Sequence, residues 1–133
     1  MIGIIIATHG RYGEEVINSA EFILGEIPWI EACSLNREQS TNQFMHLLDQ
    51  KVETMKALDG IIIFSDLYGG TPSNLSMLKN KNCKVRTITG LNMSMLITSV
   101  MERQNMGIDE LASFIIKEGK AGIKLTSELL KRE

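Results

Sequence analysis

Apolar residues recur along this chain in two patterns, continuous β-branched runs and helically spaced faces, and their alternation predicts the architecture. Ile2, Ile4, Ile5 and Ile6 form an almost unbroken run, which suits a strand covered on both faces, and Gly10 permits a sharp exit after His9. From Tyr12 to Leu24 the positions Val16, Ile17, Ala20, Ile23 and Leu24 follow helical spacing. Glu14 and Glu15 occupy the electropositive first turn of that helix and Gly25 supplies its stop. Pro28 introduces a second extended stretch, Trp29 to Leu35, which is less apolar and carries Glu31, so it belongs nearer a sheet edge. Ser40 and Gln43 make a capping-box pattern before a helix whose apolar face is Phe44, Leu47, Leu48, Val52 and Met55, ending near Asp59 and Gly60. His46 lies off that face.

Ile61 to Phe64 is the second continuous apolar run, and it finishes in Ser65 and Asp66. The turn LYGGTPSN follows, where Thr71 is the expected N-cap and Pro72 the first residue of a short helix reaching about Leu78. Lys84 to Thr89 reads as another edge strand, with Arg86 in its middle. Asn92 caps a helix carrying Met93, Leu96, Ile97, Val100 and Met101, and Asp109 begins one carrying Leu111, Ala112, Ile115 and Ile116. Beyond Gly119 two readings stand: Ala121, Ile123 and Leu125 alternate as in a strand, while Leu125, Leu129 and Leu130 share one side of a helix.

Strands that alternate with helices imply crossover connections and a mostly parallel sheet. The two fully apolar strands belong in the centre and the two half-polar ones outside, which gives the order 2-1-3-4 in a single α/β domain spanning residues 1–133.

The 133 residues suffice for one hydrophobic core. With 44% hydrophobic and 23% charged residues the composition is that of an ordinary globular domain, and a net charge of −2 gives no sign of a nucleic acid or anionic membrane partner. Cys33 and Cys83 are far apart and outside any CxxC or Cys/His pattern, so neither a zinc site nor a disulfide framework is expected, and no metal or cofactor is implied. No apolar run approaches membrane-spanning length and the chain opens directly into a strand, so a cytoplasmic protein, not itself embedded in the membrane, is expected.

In the order 2-1-3-4 the winding reverses between strands 1 and 3, and ligand sites of open α/β sheets gather at the carboxyl ends beside such a switch point. Strand 1 ends in His9 and strand 3 in Asp66. A carboxylate accepting the Nδ1–H of His9 would leave Nε2 unprotonated as a nucleophile. Gly69 and Gly70 let backbone approach closely, and the N–H groups of Gly70, Thr71 and Ser73 can form an anion-binding nest for a phosphoryl group. Each residue alone has an ordinary structural role as a strand-end histidine, a turn aspartate or a helix start; their convergence on one edge favours the functional reading. Arg11 beside His9 is a candidate phosphate or partner contact, and Tyr68 and Met93 are candidates for an apolar docking rim.

With those residues in place, the chain resembles the enzyme IIA component of the mannose family of the bacterial sugar phosphotransferase system. The matching segments are IIIATHGRYGEEVINSAEFILGE at 4–26, IIIFSDLYGGTPSNLS at 61–76 and ITGLNMSMLITSVM at 88–101. The resemblance implies a phosphotransferase whose His9 receives a phosphoryl group from the phosphocarrier HPr and passes it to a IIB component, with Asp66 orienting His9 and Thr71 at the phosphate. It also implies a homodimer in which an antiparallel strand near the C-terminus, expected at Ala121 to Leu125, is exchanged between subunits. No IIB domain follows in this chain, so a IIB component is expected on a separate chain. Ser94 replaces a frequent proline of the family and Ser73 a frequent bulky apolar residue.

Three rival readings differ in what they require. A histidine phosphatase needs an arginine before the histidine and a second catalytic histidine, whereas Thr8 precedes His9 and His46 lies on an exposed helix face. A chelatase-like metal binder shares a His-Gly-Arg after its first strand but requires further ligands. A phosphorylation-sensing regulatory dimer would keep His9 and Asp66 and is the non-catalytic alternative.

Overall fold

β-Branched side chains on a strand buried from both sides need a helix layer above and below, and the computed structural model, which describes residues 1–131, is built that way. The elements in order are β1 Ile2–His9, α1 Tyr12–Leu24, β2 Ile30–Leu35, α2 Thr41–Thr54, β3 Gly60–Ser65, α3 Thr71–Met77, β4 Val85–Ile88, α4 Met93–Glu102, α5 Ile108–Ala121 and α6 Thr126–Leu130, with a 3-10 turn at Leu78–Lys81 after α3. The four strands are parallel in the order β2-β1-β3-β4, as the apolar pattern predicts.

Alternate residues of the two central strands feed two cores. Ile4, Ile6, Ile62 and Phe64 pack with Val16 and Ala20 of α1, Leu96 of α4 and Leu111 and Ile115 of α5. Ile5, Ala7, Ile61 and Ile63 face the other way, onto Phe44 and Leu48 of α2 together with Cys33 and Met55. Each such side chain taken fully out of water contributes on the order of 1.5–3 kcal/mol, so the central pair is the most strongly anchored part of the sheet.

Cap chemistry agrees with the sequence at two helices and departs from it at a third. Ser40 and Gln43 form the reciprocal capping box, and Asn92 Oδ1 accepts from Met95 N at 2.9 Å. Before α3, however, Gly70 is the N-cap and Thr71 already helical, one residue earlier than expected, because Gly70 holds the extended conformation and its carbonyl accepts Asn74 N–H at 2.9 Å. Helix α2 stops at Thr54, five residues short of the expected Asp59, and the chain turns through Met55, which is buried. The expected strand at Ala121 to Leu125 does not form in this chain: Ala121 closes α5, and the helical reading of the tail prevails in α6.

The strand ends opposite the site carry their own clamp. Arg103, at the end of α4, is buried, and its guanidinium donates to the Pro28 carbonyl at 2.7 Å and, at 3.5 Å, to those of Ile2 and Trp29. Burial pushes its pKa down. Trp29 sits at φ 54, a left-handed conformation costly for a bulky side chain, and its carbonyl also accepts Ile4 N–H at 3.0 Å.

Candidate functional site

Parallel pairing puts the carboxyl ends of β1 and β3 side by side. Ala7 is opposite Ser65, so the residues that follow, Thr8 and His9 on one strand and Asp66 on the other, leave the sheet together. Gly10, at φ 57, then turns the chain away while its N–H donates to the Leu35 carbonyl of β2 at 2.8 Å. Thr8 is fully buried and its hydroxyl accepts Gly13 N–H at 2.9 Å, which ties the start of α1 to the strand end. His9 therefore projects from a fixed backbone.

Its imidazole is fixed as well. Asp66 Oδ2 lies 2.9 Å from His9 Nδ1 and accepts the His9 backbone N–H at 3.0 Å, while Oδ1 accepts Leu67 N–H at 3.0 Å. An ionised carboxylate can only accept, so Nδ1 carries the proton and Nε2 of the neutral ring does not. The aspartate side chain is 13% exposed and the histidine 49%, an orienting group set behind a ring that faces solvent. Among the described residues no hydrogen-bond partner engages Nε2.

Gly70 approaches the ring at the Nε2 edge. A Cβ on that residue would stand 2.7 Å from His9 Cε1 and 3.3 Å from Nε2, closer than any side chain could be accommodated without displacement. Its N–H donates to the Leu67 carbonyl at 3.2 Å within the turn. The preceding Gly69 adopts φ +86, and Asn74 Nδ2 donates to its carbonyl at 3.2 Å. The N–H groups of Thr71 and Ser73 remain in the first turn of α3, where helix geometry provides no carbonyl for them.

His9, Gly10 and Thr71 line a cleft of about 630 Å³ with Leu35, Asn36, Arg37, Gln39 and Thr41. The other expected site residues lie elsewhere. The Ser73 side chain is buried and borders a smaller cavity toward β4, with Tyr68, which is 75% exposed, at its mouth. Met93 is half-buried against the core, in a groove between α4 and α5. Arg11 is committed to its own helix, 3.3 Å from Glu14 and 3.1 Å from Glu15. Arg37 was not among the expected residues; only the placement of its loop beside His9 reveals it. Among the described residues no three His, Cys, Asp or Glu side chains cluster as metal ligands, and no helix is long and apolar enough to cross a membrane.

The family described as "PTS system fructose IIA component" matches residues 3–116. The mannose-specific EIIAB component of Escherichia coli K12 is 29% identical over 92% of this chain, which spans 39% of that protein's length. The sorbose-specific EIIA component of Lacticaseibacillus casei is 26% identical over 86% of this chain and 83% of its own. The crystal structure of the phosphotransferase system component EIIA from Streptococcus agalactiae superposes with a TM-score of 0.88 at 30% identity, covering 96% of this chain and 99% of that one. A match running through both strand ends of the His9 site and nearly to the end of α5 places this chain in the EIIA-man family of phosphotransferase system IIA components.

Proposed function

We propose that this protein is a phosphoryl carrier in sugar uptake, accepting a phosphoryl group from phospho-HPr on His9 Nε2 and passing it to a IIB component. The observation that carries the reading is the Asp66 carboxylate 2.9 Å from Nδ1, which leaves the Nε2 lone pair available for attack. In the forward step that lone pair attacks phosphorus, the donor–phosphorus bond breaks and the donor keeps the electron pair. The ring, still protonated at Nδ1, becomes cationic, and the adjacent carboxylate offsets that charge. The second transfer reverses these events: the Nε2–phosphorus bond breaks and the neutral imidazole is restored.

The N–H groups of Thr71 and Ser73 and the Thr71 hydroxyl are the donors proposed for the phosphoryl oxygens, with Gly70 leaving space for them. Exposed Leu67, Tyr68, Met77 and Leu78 provide apolar surface beside the site where a protein partner can seat. The working compartment of such a carrier is the cytoplasm. A homodimer would cover the outer edge of β4, which pairs with no strand among the described residues. Incubation with phosphoenolpyruvate, enzyme I and HPr should add one acid-labile phosphoryl group per chain, and His9→Ala should remove it. Undiminished labelling of the alanine variant would refute the assignment.

A further inference from the structure

The cleft beside His9 has a cation on its wall, Arg37, that makes no ion pair among the described residues. Arg37 is in the loop between β2 and α2, which is closed by Gln39 N–H donating to the Asn36 carbonyl at 3.0 Å and Asn36 N–H donating to Gln39 Oε1 at 3.1 Å. The loop is thus a short fixed turn, anchored at one end by the sheet and at the other by the capping box of α2. Arg37 is exposed, lines the cleft with His9, Gly10 and Thr71, and makes no ion pair among the described residues. The nearest alternative cation in sequence, Arg11, is held by Glu14 and Glu15. The adjacent Glu38 borders a neighbouring cavity with His46 and Leu47, not the His9 cleft.

Phosphorylation therefore adds negative charge to the cleft at Nε2. Before transfer the only carboxylate at the ring among the described residues is Asp66, satisfied by three N–H donors. After transfer the cleft would hold a phosphoryl dianion, and the Arg37 guanidinium on its wall, with five donors, makes no ion pair among the described residues. Guanidinium recognises phosphate oxygens through paired, charge-assisted bonds, which an ammonium cannot reproduce.

We propose that Arg37, which lines the same cleft as His9 and Thr71, binds the phosphoryl group once it is on His9. This inference rests on the carrier reading above. It concerns the phosphorylated state and not docking, and the two separate experimentally: the equilibrium constant between phospho-HPr and this protein depends only on the free species, whereas the transfer rate also depends on how the two proteins meet.

The test measures that equilibrium, together with the 31P titration of the phosphorylated protein, for wild type, Arg37→Ala and Arg37→Lys. Loss of an exposed charge contact of this kind should shift the equilibrium toward phospho-HPr by roughly two- to fivefold. It should also raise the pKa of the phosphoryl group, because the cation favours the dianion; the lysine variant should lie between the two. A slower transfer with both the equilibrium and the titration unchanged would overturn the proposal and assign Arg37 to partner contact. Absence of any change would overturn it as well. If wild-type protein takes no phosphoryl group on His9, the carrier reading itself fails, an outcome visible before any Arg37 variant is compared.

Discussion

Replacing Gly70 with alanine isolates the close contact between the α3 turn and His9. The added methyl carbon would stand 2.7 Å from Cε1, about 0.7 Å inside the 3.4 Å at which ordinary contact begins, and it is attached to backbone held by the turn and by Asn74. The ring is half-exposed and can swing away, but only by stretching the 2.9 Å bond from Nδ1 to Asp66. A hydrogen bond to a charged group contributes about 1.5–3 kcal/mol, and each 1.4 kcal/mol lost from the transition state is about tenfold in rate. Gly70→Ala should therefore slow phosphoryl transfer to His9 by roughly ten- to a hundredfold. Quenched-flow labelling with phospho-HPr gives the rate, and imidazole 15N spectra report whether Nδ1 still holds its proton against the carboxylate. Gly69→Ala is the matched control: its Cβ meets nothing within 4 Å, yet it must hold φ +86, which costs about 1–2 kcal/mol of stability without touching the ring. Wild-type labelling and an unchanged Nδ1 signal in Gly70→Ala would refute the steric argument.

Two further predictions concern the scaffold. Burial pushes the Cys33 thiol up to about 11 from 9.0, with Lys51 partly opposing the shift. Cys83, which is exposed, should be alkylated by iodoacetamide at pH 8 while Cys33 reacts only on unfolding; equal rates would contradict its burial. Because the folded state keeps the proton to higher pH than the unfolded chain, the Cys33 contribution to stability is complete below about pH 9 and lost as pH rises through 11. It amounts to at most about 2–3 kcal/mol, and urea titrations across that range should show a decline that Cys33→Val lacks. Arg103→Ala removes the donor that three carbonyls share and should lower stability by about 2–3 kcal/mol, while His9, at the opposite end of the sheet, labels at the wild-type rate in protein that remains folded. A loss below about 0.5 kcal/mol would show that water replaces the guanidinium without penalty.

The strand order and the approach of Asp66 to His9 were readable because both follow from one rule. Fully apolar strands take the central places, and a parallel register then brings their carboxyl ends together across 57 residues of sequence. The position of the α3 cap was not readable, because Gly70 and Thr71 are both acceptable N-caps and only the backbone conformation distinguishes them. The tail was balanced between two periodicities, and the helical one prevailed in α6. Arg103 resembles an ordinary basic residue at a helix end, yet it is buried against carbonyls as far as 101 residues away.

The same distinction separates the two parts of the site. His9 and Asp66, the proposed nucleophile and its proposed orienting carboxylate, are chemically distinctive residues at strand ends, so topology alone was enough to pair them. The parts proposed for Gly70 and Arg37 rest on properties that composition does not display: one on the Cβ it lacks, the other on a charge that makes no ion pair among the described residues. An arginine in a polar loop is ordinarily a solvated residue, and from the sequence only Arg11, two positions from His9, was a candidate for phosphate contact. The i,i+3 and i,i+4 pairs that Arg11 makes with Glu14 and Glu15 favour Arg37 instead, because a cation engaged by two carboxylates has less to offer a phosphoryl group than one that makes no ion pair among the described residues.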